Sequence, residues 1–338
     1  MPSAVRFFTA ALIAWLPACA SVGPPEPVRF AEATRPAGAE GFPNWYAPPA
    51  EAVAMLAEAA PDVQEVERTA AGTSGAEEVE LRLAGSEMRI KTKQVPPDLD
   101  GINNAPRKEL AAYAIQSLFL EPEDYLVPAT TLRCIPVARR QNWHDGHVEP
   151  TLSGTGCVLL VLAMWLRDVT VPEVVFERER FLSEPSYAYY LANLNVFTYL
   201  IEHRDGRSGN FLVSKDDRRQ VFAIDNGVAF GQRWPNYNWF VPNWDVLRVP
   251  ALRKDTIDRL RVLKREDLDF LLVVAQLEPD DQGVLKLVPP GPPIDEDEGA
   301  SRRGSTVQFG LTEDEIDDVW ERIEELIEDV DEGKLPVF

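Results

Sequence analysis

His203-Arg204-Asp205, with Asn210 five residues after the aspartate, opens the stretch of this chain best equipped for chemistry. An apolar run, 211–213, follows. A polar turn, 214–220, separates it from a second apolar run, 221–224, which ends in Asp225-Asn226-Gly227. Two apolar runs joined by a short turn predict an antiparallel hairpin. Its open end would set Asn210 beside Asp225. Their hard oxygens suit Mg2+, which takes one or two carboxylates plus water and phosphate oxygens. Asp205, on the loop entering the first strand, is then free to act as a base. Phosphoryl transfer from ATP needs these parts: a metal held against the phosphates, and a carboxylate that orients the attacking hydroxyl. The plainer alternative is a surface loop that holds Asp and Asn, because H-R-D alone recurs by chance. The joint spacing and the flanking apolar strands argue against it.

A lysine for the phosphates and a helix carboxylate to hold that lysine complete the set. Segments 63–69 and 79–83 read as strands, and 88–93 alternates as a third. Segment 107–120 reads as a helix, with Leu110, Ala111, Ala114, Ile115 and Leu118 on one stripe. Pro106 suits its first turn, and Glu109 lies in that turn. Lys91 with Glu109 is the preferred pair. Lys93 is on the same strand face two residues on and competes with it; both could also be solvated strand lysines. Residues 70–76 offer backbone N–H groups that could cover phosphates, but lack G-x-G-x-x-G and read as an ordinary hairpin loop.

Further strands are expected at 130–137 and 157–166, the second bringing Trp165, Leu166 and Arg167 near an adenine. Segment 186–202 is apolar nearly all round and reads as a buried helix that delivers Asp205. Helices are expected at 256–263 and 266–276. Another is expected at 312–332, opened by a Thr312/Glu315 capping box. Residues 289–304, rich in Pro, Gly and acid, read as a disordered insert. The aromatic stretch 233–250 reads as packing or as a substrate wall. His144, Asp145 and His147 are too few for a zinc site and read as an exposed loop.

The chain has 338 residues, room for one two-lobed domain or two small ones. Its 34 Lys plus Arg against 55 Asp plus Glu leave a formal charge of -21, a surface expected to repel nucleic acid and anionic membrane. Lys91, Lys93, Arg107 and Lys108 could still line a positive cleft. Residues 1–19 resemble a lipoprotein-type signal, too short to span a membrane, with Cys19 as the lipidation site; a buried N-terminal helix is the alternative. Residues 20–48 read as a flexible tether. Ala20 directs the expectation to the outer membrane, facing the periplasm, with a cytoplasmic location if the signal reading fails. Cys134 and Cys157 then remain as a candidate disulfide on neighbouring strands or as two separate thiols.

The segment 223–230, Ala-Ile-Asp-Asn-Gly-Val-Ala-Phe, resembles the metal-binding segment of type II phosphatidylinositol 4-kinases. Lys91, then 107–113 and Leu126-Val127-Pro128, is similar to the smaller lobe of that group, of HipA-like kinases and of the secretory-pathway Golgi casein-kinase family. The resemblance spans about residues 63–280. It implies an atypical protein-kinase-like α+β fold, with a small antiparallel-sheet N-lobe over 49–167 and a mostly helical C-lobe over 168–338. It implies Asp205 as catalytic base, Asn210 and Asp225 as metal ligands, and Lys91 with Glu109 as the phosphate-positioning pair. His203 would support the loop backbone. The implied cofactors are ATP and Mg2+ or Mn2+. The implied activity is phosphotransfer to a hydroxyl of a protein, lipid or small molecule, with AMP transfer also open. Asp-Asn-Gly stands where many kinases carry Asp-Phe-Gly, and no A-P-E follows, so regulation through an activation loop is not expected. An exported enzyme needs ATP outside the cytoplasm. A kinase-shaped binding module without catalysis, contacting partners through 234–244 and the acidic C-terminal helix, is the alternative.

Overall fold

The computed structural model describes residues 41–58, 61–69, 75–83, 85–101, 105–143, 146–231 and 244–338. Within them the chain is an α+β protein with antiparallel sheets. The signal and Cys19, most of the tether, residues 70–74, His144 and 233–243 lie outside the described residues.

Helix α1 (Pro49–Glu58) is followed by β1 (Asp62–Arg68), β2 (Glu77–Leu83), β3 (Ser86–Gln94), α2 (Pro106–Ile115), β4 (Thr130–Pro136), the single turn α3 (Val137–Arg140) and β5 (Cys157–Met164). The five strands form one sheet in the order β1-β2-β3-β5-β4. β5 explains the centre of this sheet. It is apolar throughout because both its faces are covered. Val158, Leu160, Leu162 and Met164 join one core with Leu56 of α1, Leu81 and Ile90. Cys157, Leu159 and Val161 join another with Leu110 of α2 and Leu132. β3 obeys the same alternation. Met88 and Ile90 enter the α1 core, so Lys91 and Lys93 project from the opposite face, toward α2.

The chain continues through β6 (Val169–Thr170), α4 (Arg178–Ser183), α5 (Pro185–Leu200), β7 (Phe211–Ser214), β8 (Val221–Ala223), α6 (Lys254–Arg261) and a 3-10 stretch over 265–273. Then come β9 (Ala275–Pro279), β10 (Leu285–Val288), β11 (Ala300–Arg303), β12 (Thr306–Phe309) and α7 (Glu313–Asp331). α5 is buried along nearly its whole length, as its all-round apolar sequence predicts. Burying each large side chain such as Phe197 or Leu194 contributes about 1.5–3 kcal/mol. β7 pairs with β8 and with β6, which the sequence did not reveal. α7 begins at the expected capping box: Thr312 Oγ1 accepts from the Glu315 N–H at 3.2 Å, and Glu315 Oε2 from the Thr312 N–H at 3.0 Å.

Several expectations are corrected. The tether ends before residue 48: Asn44 and Trp45 are buried, and the Asn44 amide donates to the Arg167 carbonyl at 2.8 Å. Segment 266–276 is not one helix but the 3-10 stretch followed by β9. Residues 289–304 are not a structureless insert; they run from the end of β10 through β11 in the four-stranded sheet β10-β9-β12-β11. Buried glutamines account for this. The Gly291 N–H donates to Gln276 Oε1 at 2.8 Å, and the Ile294 N–H to Gln308 Oε1 at 2.6 Å. Gln308 Nε2 donates to the Pro292 carbonyl at 2.9 Å. Composition hides such partners because they lie on other strands. The division at residue 167 also fails for packing: Leu277, Leu285, Val307 and Phe309 close the core over β4 and β5.

Candidate active site

The expected antiparallel hairpin forms, with Phe211 opposite Ala223 and Val213 opposite Val221. The Ile224 N–H donates to the Asn210 carbonyl at 2.9 Å, extending the pairing one step beyond the strands. Asn210 and Asp225 therefore meet at its open end, both in the wall of a cavity of about 880 Å3. Asp225 stands at φ 64°, in the left-handed region that a non-glycine residue enters only when held there.

Lysine holds it. Lys93 Nζ donates to both Asp225 Oδ1 and Glu109 Oε1. The remaining Glu109 oxygen accepts from the Asn226 N–H at 3.0 Å. The pairing expected for Lys91 is thus made by Lys93. Lys91 lies two residues back, 3.7 Å from Asp225 Oδ2, and makes no ion pair with Glu109. The register explains the choice: Lys93 pairs with Val161 deep in the sheet, whereas Lys91 pairs with Ala163 nearer the cavity. Burial alone would lower the Lys93 ammonium, but the Glu109 and Asp225 carboxylates override it and hold it above its usual value. Lys91 is lowered by burial and by Lys93 beside it. Burial would raise Asp225; Lys93 and Lys91 hold it well below the usual carboxylate range.

Asp205 is buried, and Arg207 forks onto it, Nε to Oδ1 at 2.7 Å and Nη2 to Oδ2 at 2.6 Å. Gly206 through Asn210, rather than Asp205 itself, line the cavity. Asn210 Nδ2 donates to the Asp205 carbonyl at 2.8 Å, so the two expected site residues are tied through the backbone. His203 packs 5.4 Å from the Phe211 ring centroid, and neither ring nitrogen has a partner among the described residues. Full burial lowers its affinity for a proton. Its carbonyl accepts from the Trp244 N–H at 3.0 Å, and Trp244 both packs on Phe211 and lines the cavity.

A narrower slot of about 60 Å3 shares Lys91, Trp165, Ile224 and Asp225 with the large cavity. Val127, Val161, Met164 and Leu212 make it apolar, and Trp165 and Leu166 line it. Arg167 does not; it turns away, donating to the Trp45 carbonyl at 2.5 Å. The buried Asn226 carboxamide borders the slot with both polar atoms unpartnered among the described residues.

Asn210 and Asp225 could hold a Mg2+ ion between them: both carry hard side-chain oxygens and both line the cavity, which leaves room for water and phosphate oxygens. Among the described residues no cluster of three or more His, Cys, Asp or Glu side chains could hold a metal unaided. His147 is exposed beside Glu149, 3.6 Å away. Arg107 and Lys108 do not line the cleft. Lys108 donates to the Phe230 carbonyl at 2.8 Å, and Arg107 faces α7. The sequence reading missed the Arg207 fork and the Asn226 contact. Arg207, two residues from Asp205, was within reach of inspection; the Asn226 bond to Glu109 crosses 117 positions and left no local mark. Cys134 and Cys157 are joined in a disulfide, Cα atoms 5.4 Å apart. No protein-family model and no curated protein sequence matches the chain.

Proposed function

We propose that the protein is a Mg-ATP-dependent phosphotransferase of two-lobed, protein-kinase-like architecture. The five-stranded sheet with α2 would be the smaller lobe, and the α5-centred helical part the larger. The observation that carries this reading is the meeting of Lys93, Glu109, Asn210 and Asp225, from separate elements, around two adjacent cavities that share Asp225 in their walls. An isolated buried lysine would cost several kcal/mol. A lysine paired with a helix carboxylate at the edge of a cavity is the arrangement that positions nucleotide phosphates.

In this reading the apolar slot takes the base, and Lys91 with Lys93 faces the phosphates. Asn210 and Asp225 would hold the metal, which when bound neutralises charge developing on the phosphates. Asp205 would orient the acceptor hydroxyl and take its proton once the Arg207 fork that now covers both its oxygens is displaced. Arg207, now paired with Asp205, carries a planar fork that also matches phosphate oxygens. The acceptor is a hydroxyl of a protein, lipid or small molecule. The disulfide favours an exported form of the protein, because such bonds persist in oxidising compartments. The forked Asp205–Arg207 pair favours a second reading, a nucleotide-binding module without turnover.

Calorimetry with ATP, with and without Mg2+, tests the site. The wild type is expected to bind ATP in a metal-dependent manner, and Asp225→Ala to lose that binding. Unchanged binding in Asp225→Ala would sink the assignment. Metal-dependent binding without phosphorylated product across protein, lipid and small-molecule acceptors would select the module.

A further inference from the structure

Helix α7 lies outside the cavity, yet it touches both carboxylate-bearing parts of the site. Glu315 and Arg322 are seven residues apart. Seven residues are close to two helical turns, so both side chains leave one side of α7, about 10 Å apart along its axis. Glu315 receives a fork from Arg107 of α2, Nη1 to Oε2 at 2.5 Å and Nη2 to Oε1 at 3.0 Å. Lys108 Nζ stands 3.4 Å from the same carboxylate. The side chain that caps α7 is therefore also the one that grips α2. Asp100 holds Arg107 from another side, at 2.9 Å. Glu109 follows Arg107 by two residues and faces Lys93 instead.

Arg322 grips the turn at the end of α5. It donates to Glu202 Oε1 at 2.6 Å, to the Tyr199 carbonyl at 3.1 Å and to the Asp245 carbonyl at 3.3 Å. Glu202 stands at φ 48° and also accepts from Arg204 at 2.7 Å. Asp205 follows three residues later. The start of α7 is seated by a contact only glycine allows: a Cβ on Gly310 would stand 2.0 Å from the Leu272 carbonyl oxygen.

We propose that α7 is a brace that sets the separation between Glu109 and Asp205, with Glu315 and Arg322 as positioning residues. Its purpose rests on the phosphotransfer reading; its geometry does not. Both contacts are charge-assisted and multidentate, the kind that fixes orientation as well as distance. Neither residue touches the cavity.

Amide hydrogen exchange on the ligand-free full chain reads the brace directly. The Asn226 N–H donates to Glu109, and the His203 N–H to the Thr198 carbonyl at 2.9 Å. Glu315→Gln keeps the side-chain length and the capping oxygen but loses the charge. It is expected to speed exchange at Asn226 by roughly tenfold or more, the effect of weakening one charge-assisted bond, with α5 amides unchanged. Arg322→Gln is expected to do the same at His203. If Glu315→Gln does not fold, Arg107→Lys, which keeps the charge and loses the fork, takes its place with the same expectation at Asn226. Unchanged rates at both amides overturn the proposal, whatever the protein binds. A lower melting temperature without faster local exchange also overturns it. Faster exchange together with about tenfold weaker Mg-ATP binding supports the brace and the phosphotransfer reading. Faster exchange in a protein whose wild type binds no Mg-ATP supports the brace and removes that reading.

Discussion

At the scale of single residues, the site depends on which lysine is buried. Lys93 neutralises two carboxylates, and removing it leaves the buried Glu109 without its cation and the half-buried Asp225 with Lys91 alone, 3.7 Å away. Lys93→Met is expected to destabilise the protein by about 3–5 kcal/mol, the usual cost of breaking a buried pair from one side. Lys91→Met should cost less than about 1 kcal/mol, because burial already disfavours its charge and its nearest carboxylate is 3.7 Å away. Urea denaturation of the two variants checks the contrast; equal losses would return the pairing role to both lysines. His203 gives a pH dependence of definite sign. Its folded pKa lies below the ordinary 6.5, so below that pH the unfolded chain takes a proton that the folded chain refuses. The stability from this group is fully present well above pH 6.5 and is lost as pH falls below it, by at most about 1.4 kcal/mol per unit. His203→Gln should remove that part of the slope between pH 6.5 and 5.5. A slope identical to wild type would mean that His203 charges in the folded state.

At the scale of elements, local patterns were readable where partners are close in sequence. The β7–β8 hairpin, the helix carrying Glu109 and the Thr312 cap each follow from a few adjacent residues. Sheet β10-β9-β12-β11 was missed because its strands are short and partly polar, and its connecting loop is fastened by Gln276 and Gln308 from other strands. β4 and β5 were both expected. Their register offsets the two cysteines, Cys134 opposite Leu159 and Cys157 opposite Pro136, and the disulfide spans that offset. With a sequence separation of 23, the cross-link should contribute about 3 kcal/mol by restricting the unfolded chain. Unfolding with and without reductant tests this. A native chain that titrates as free thiols at both positions, with an unchanged midpoint under reductant, would show two separate cysteines.

At the scale of the whole molecule, the chain does not stay in two consecutive halves. Residues 275–309 return to cover the first sheet, and α7 then reaches both α2 and the Asp205 turn. The sequence by itself determined the parts whose geometry is set by near neighbours: Asp205, Asn210 and Asp225 at fixed spacing around one hairpin, an apolar α5, a capped α7. Hydrogen bonds between adjacent strands and the period of apolar side chains are enough for these. Only the tertiary structure decided that Lys93, not Lys91, takes Glu109, that Arg107 faces Glu315, and that 289–304 is ordered. Those outcomes depend on ion pairs and buried amides between residues that lie far apart in the chain or on different strands. A charged residue satisfied by such a distant partner has no local periodicity to reveal it.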